Sequence, residues 1–283
     1  TKGRVMVLAV YKGFFFFTVK FAYTLTGIGT DAFIEMPVYK DDATSQGWTE
    51  RTGPTRPEGL EALALYCNGT NYSLCMFYDD TGYIAGMQIG VTAFDFTEQG
   101  FVPWDFTLED GTSSSYWTVW QFYLSAEDLA TSADTRIANR DSTKLLQFDN
   151  IWVSGFDGEM YNISTNTDYV TGADSIYTEQ ACIPWMGHHY YYNMTTELEC
   201  ASKQVFNWFP LIYSKQLVGV GFMAFLKLKE DVSYFESPSQ AEVTMIVPNA
   251  SQSFYGLAET PGARTMHTYF VEPSWTITCV VED

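Results

Sequence analysis

Basic residues are scarce in this chain: 15 Lys and Arg stand against 34 Asp and Glu, a formal charge of −19 at pH 7. A uniformly acidic surface repels nucleic-acid phosphates and anionic membranes alike, which argues against both as main partners. Long apolar runs are also missing. The stretch from Val218 to Leu226 is far too short to cross a bilayer. Near the N-terminus, Val5 to Leu25 is broken by Lys12 and Lys20 and precedes no small-residue cleavage site, so the chain reads as already processed. Catalytic signatures are absent too: there is no G-x-S-x-G, H-E-x-x-H, phosphate loop or EF-hand pattern, and no C-x-x-C. Gly27-Ile-Gly29-Thr-Asp-Ala32 fits a dinucleotide fingerprint in form only, because Phe33 to Tyr39 contains Pro37 and does not read as the helix that must follow.

What is present first gives an address. Five of the nine asparagines, Asn68, Asn71, Asn162, Asn193 and Asn249, stand in N-x-Ser/Thr frames, where chance supplies about one or two. The excess predicts a secreted, extracellular N-glycoprotein. Five cysteines fit an oxidising compartment. Cys67 and Cys75 flank a short loop and read as a hairpin staple, and Cys182 with Cys200 is the second expected pair. Cys279 is then left free or available to a second chain, although spacing leaves Cys182 with Cys279 as an alternative.

The architecture follows from composition and period. With 46% hydrophobic and 17% aromatic residues, the chain carries far more than a disordered segment would, and its Tyr-rich make-up favours sheets. Alternation with period two is clear from Phe15 to Leu25, which pairs with Arg4 to Tyr11 across Lys12-Gly13 as an expected hairpin. Asp41 to Pro57 reads as a loop, with strands expected at 62–67, 74–78, 83–94, 116–124, 145–153 and 160–164. Ser125-x-x-Asp128 is a capping-box start for a helix running with a break to about Asn139, and Ser237-Pro238 opens a second, shorter one through Ile246. The expected fold is mainly β: an antiparallel β-sandwich or barrel with one or two short helices. Residues 1–283 are read as one large domain, or as two β halves, about 1–125 and 146–283, joined by the helical segment. The hairpin from Cys75 to Met87 resembles that from Pro210 to Val220, a hint of duplication that would put a ligand at the junction of two related halves.

Three histidines carry the only chemical signal. In Trp185-Met-Gly-His-His-Tyr-Tyr-Tyr-Asn-Met194, strand alternation puts His188, Tyr190, Tyr192 and Met194 on one face and His189, Tyr191 and Asn193 on the other. A glycan on Asn193 must face water, so the His188 face is expected to point inward. His267 and Tyr269 share a face of a second strand. The leading expectation is noncatalytic binding of a small hydrophobic molecule, such as a lipid, terpenoid or pigment, with Trp117, Trp120, Trp185, Tyr190, Tyr192 and Tyr269 supplying contact area and His188 or His189 with His267 a polar anchor. A second reading is a copper or zinc oxidase or oxygenase using His188, His189, His267, Met194 and Met266, since imidazole with thioether suits copper and imidazole alone suits zinc. A third is a structural or storage protein assembling as a homo-oligomer through Tyr-rich surfaces and Cys279. The acidic pairs Asp41-Asp42, Asp79-Asp80, Glu109-Asp110 and Glu127-Asp128 are read as turn and helix-start chemistry.

Overall fold

Runs of aromatic and β-branched residues separated by Gly, Asp and Asn turns fold into two antiparallel sheets packed as a sandwich, with no closed barrel. The computed structural model describes residues 17–20, 33–94, 99–108, 111–200, 205–230, 232, 234–271 and 276–279. Arg4 to Tyr11, the Lys12-Gly13 turn, the Gly27-Ile-Gly29 motif and the Glu109-Asp110 pair lie outside these residues. The first sheet contains β3 (Trp48–Arg51), β4 (Ala64–Asn68), β5 (Leu74–Tyr78), β6 (Ile84–Val91), β9 (Ser113–Phe122), β10 (Asn150–Ser154) and β11 (Met160–Ser164). Its strands lie in the order β11-β10-β9-β6-β5-β4-β3, and β8 (Val102–Thr107) pairs with the start of β9. The second sheet contains β1 (Phe17–Lys20), β2 (Phe33–Met36), β12 (Tyr177–Ile183), β13 (Gly187–Tyr192), β14 (Trp208–Tyr213), β15 (Gln216–Phe225) and β17 (Ala263–Tyr269). Its order is β12-β13-β14-β15-β17-β1-β2. Two short strands, β7 (Ala93–Phe94) and β16 (Lys227–Leu228), pair between the two chain segments.

The sheets share one plan. Each is a four-stranded meander, then a strand reached through an insertion, then a hairpin, and in the second sheet that hairpin comes from the start of the chain. The correspondence extends to single residues. Phe77 faces Gly86 and Phe122 along one row of the first sheet, as Leu211 faces Gly219 and Tyr269 in the second. A bulge follows at the same place, between Phe77 and Tyr78 and between Leu211 and Ile212. The next row is Cys75, Gln88 and Trp120 in one sheet and Phe209, Gly221 and His267 in the other. Val102 pairs with Thr118 where Glu236 bridges Thr265.

Between the sheets lies an apolar layer that includes Met76, Met87, Val119, Trp208, Val220, Phe222 and Met266. Full burial of each such side chain contributes about 1.5–3 kcal/mol. Two polar contacts cross the interface: Trp208 Nε1 donates to the Ser154 carbonyl at 2.8 Å, and the Thr268 hydroxyl lies 3.2 Å from Met87 Sδ. Each sheet also buries its outer face. On the first, Leu65, Phe77, Trp104, Trp120 and Phe122 pack beneath Ala126 and Leu129 of α2 (Ala126–Ala130). On the second, Phe209, Leu211, Met223 and Tyr269 pack beneath α5 (Gln240–Ile246) and α6 (Gln252–Leu257).

Helices are more numerous than one or two. Among the described residues there are also α1 (Lys40–Ser45), α3 (Ala133–Asn139) and α4 (Asp168–Thr171). The segment expected as a loop from Asp41 to Pro57 holds α1, whose first turn carries Asp41 and Asp42, and the edge strand β3. Carboxylates at a helix N-terminus favour the helix, and β3 gains its hydrogen bonds from β4, a partner that local composition does not reveal. Ser125 and Asp128 do form a capping box, and Ser239 with Glu242 forms one at α5. Asp79 Oδ1 accepts from the Thr81 and Tyr83 amides, and Asp79 and Asp80 together hold the buried Arg136 of α3.

Cys67 and Cys75 are bonded across β4 and β5. The second disulfide joins Cys182 to Cys279, not Cys200. After β17 the chain returns along the end of β12, where the Trp185 amide donates to the Ile277 carbonyl at 2.7 Å and brings Cys279 to Cys182. Cys200 is the free thiol; it is buried beside Ser251, and burial pushes its pKa up. Cys279 is therefore not the spare cysteine for a link to another chain.

Candidate functional site

The outer face of the second sheet carries a partly open cavity of about 320 Å³ beneath α5. Its floor depends on a missing side chain. Gly221 lies between Phe209 and His267 in the sheet, and a Cβ there would stand 2.0 Å from the Phe209 ring. The ring therefore lies flat on the backbone, an aromatic covering a glycine. Tyr191 stacks on it at 4.7 Å and 14°, His189 at 5.4 Å and 24°, and His267 meets its edge at 5.5 Å. Val243, Ile246 and Val247 of α5 form the roof, and Met186, Met223 and Phe235 complete the apolar wall.

One end is polar. Glu236 is clamped beside β17 by two backbone hydrogen bonds with Thr265, at 2.9 and 3.1 Å. Its Oε2 accepts from the Thr265 hydroxyl at 2.9 Å and lies 3.1 Å from His267 Nδ1. Glu236, Thr265, His267 and His189 are all buried. The His189 Nδ1 sits 3.2 Å from the carbonyls of Ala181 and Gly187. Both are acceptors, so Nδ1 carries a proton. Burial raises the pKa of Tyr191 and Tyr269, and the negative charge of Glu236 raises both further.

Strand alternation sorts the residues expected at a site. His189 and His267 meet at 5.9 Å between ring centroids and both line the cavity; Tyr269 stacks against His267 at 6.4 Å. Tyr190 and Tyr192 point the other way, into the layer between the sheets, and Trp117 packs against that layer. His188 lies at the edge with Nδ1 2.8 Å from Glu179 Oε1. Trp120 belongs to the outer face of the first sheet, and Trp185 is half-buried in a turn with φ 72°. The expectation that only the His188 face points inward is corrected: both faces are buried because helices cover the outer one. Asn193, at φ 47°, ends the strand, so Met194 packs with the outer cluster and escapes the alternation.

The metal-ligand set is not assembled. Met266 packs between the sheets while His267 faces α5, and His188 is on the face opposite His189. Among the described residues no group of three His, Cys, Asp or Glu side chains is placed to hold a metal ion. Glu236, Thr265 and Phe209 are functional candidates that sequence reasoning missed. The available signal was one carboxylate in the aromatic stretch Tyr234-Phe235-Glu236 ahead of Ser237-Pro238.

Comparisons with protein-family models, with curated proteins and with solved structures found no match to this chain.

Proposed function

We propose that this chain is a secreted, N-glycosylated protein that binds a small, mainly apolar molecule, without chemical conversion, in the cavity beneath α5. One observation carries the reading: a partly open pocket walled by Phe209, Tyr191, Met186, Met223, Val243 and Val247 ends in a compact polar group of Glu236, Thr265, His267 and His189. Apolar walls supply affinity, and a few convergent polar groups orient the occupant. The contact area comes from Phe209, Tyr191 and Phe235, in place of Trp117, Trp120, Trp185, Tyr190 and Tyr192. Extracellular residence is supported by two disulfides and by the exposure of Asn68, Asn162, Asn193 and Asn249, with Asn71 half-buried. No helix among the described residues is long and apolar enough to cross a membrane.

Native mass spectrometry of protein from its source, deglycosylated, before and after solvent extraction, tests both parts. The expected result is one organic molecule per chain that extraction removes, together with loss of glycan mass on deglycosylation. Replacing Val243 by Trp fills the space and is expected to abolish uptake of the neutral dye Nile red. Unchanged uptake in that variant contradicts the reading.

A further inference from the structure

We infer that the cavity selects an apolar molecule bearing a cationic amine and rejects carboxylic acids, fatty acids included; this rests on the binding reading above. Among the described residues, the polar side chains lining the space include two carboxylates, Glu236 and Glu242, and no lysine or arginine. Glu242 is engaged in the α5 capping box, so Glu236 is the acid set in the polar end. The neighbouring Arg264 lies on β17 between Ala263 and Thr265, and alternation turns its side chain away from the face that carries Thr265 and His267.

The remaining groups point to the same sign of charge. The Thr265 hydroxyl donates to the Glu236 carboxylate, so the acid presents acceptor oxygens at this end. His189 turns its Nδ1 proton to the carbonyls of Ala181 and Gly187, away from an occupant. An incoming anion would sit beside the Glu236 and Glu242 carboxylates, whereas an ammonium group finds an opposite charge. The net charge of −19 adds attraction at longer range.

The test is isothermal titration of the full chain with three indoles of nearly the same shape: tryptamine, neutral 3-ethylindole and indole-3-propionate. Tryptamine is expected to bind at least about tenfold more tightly than 3-ethylindole, and the propionate most weakly. In Glu236→Gln the ratio of tryptamine to 3-ethylindole affinity should fall below about threefold. Equal binding of all three, tighter binding of the propionate, or an amine preference that survives Glu236→Gln overturns the selectivity and leaves the cavity reading standing. Failure of all three indoles and of Nile red to bind overturns both. Where Glu236→Gln does not fold, the ranking on the unaltered chain decides.

Discussion

The outer faces of the two sheets occupy corresponding positions on one plan, yet along the matched rows one is filled and the other leaves a cavity, and the first face opens only farther out, in a pocket of about 420 Å³ beside Tyr72, Trp104 and Phe106. On the first, Gln88 and Trp120 are partners, the Trp120 indole donates to the Gln88 side chain at 3.1 Å, and Phe122 packs against Trp120. On the second, the same two positions carry Gly221 and His267, and Val102 is matched by Glu236. A large ring with its own hydrogen-bond partner is replaced by a glycine, an imidazole and a carboxylate. Apolar volume is exchanged for a space with a polar end, and space of that kind contributes binding in place of stability.

The largest expected contrast concerns the staples of the two sheets. Cys182–Cys279 closes a span of 97 residues and Cys67–Cys75 one of 8. Loop-closure entropy gives about 4–5 kcal/mol for the first and about 2–3 for the second. Urea unfolding of the two Cys→Ser pairs should show that order, and equal losses would break it. Trp120→Ala should cost about 3–5 kcal/mol on the solid face and leave Nile red uptake intact. Gly221→Ala forces the Phe209 ring off the backbone for about 1–3 kcal/mol, yet should abolish uptake. Were Trp120→Ala to lose the dye and Gly221→Ala to retain it, the assignment of solid and hollow faces would be reversed.

Alkali probes the layer that both sheets share. Burial pushes Tyr83 up to about 12 and raises Tyr78 and Tyr123 as well. In the unfolded chain these phenols ionise near pH 10, while the folded protein keeps them protonated. Their stabilising contribution is complete below pH 10 and falls as pH rises through 12, by about 1.4 kcal/mol per pH unit for each tyrosine. Phenolate absorbance and circular dichroism should change together above pH 10. Ionisation of these phenols near pH 10 with the fold intact would contradict their burial.

The legible parts of the fold were local. The run Leu74–Tyr78, the strand Met160–Ser164 and the Ser125 capping box follow from residues adjacent in sequence, and the structure has them at those positions. What stayed hidden depends on distant partners. Nothing near Asn150 indicates that β10 joins the first sheet, nor near Phe17 that β1 joins the second beside β17. Cys182 chose a partner 97 residues away because the returning chain passes β12. The resemblance between the Tyr78 and Tyr213 hairpins reflects equivalent places in two sheets, but the cavity lies on one outer face and not at their junction. Likewise the histidine pair was visible, whereas the choice of His189 over His188 required knowing that α5 covers that face. Glu236 gained its role from Thr265, a contact made across 29 residues.

A crystal structure of the chain soaked with 3-ethylindole tests the hollow face most directly. The expected result is one indole bounded by Phe209, Tyr191, Val243 and Glu236, with the first sheet's outer face unoccupied. Side chains closed over Gly221, with no indole beneath α5, would contradict it.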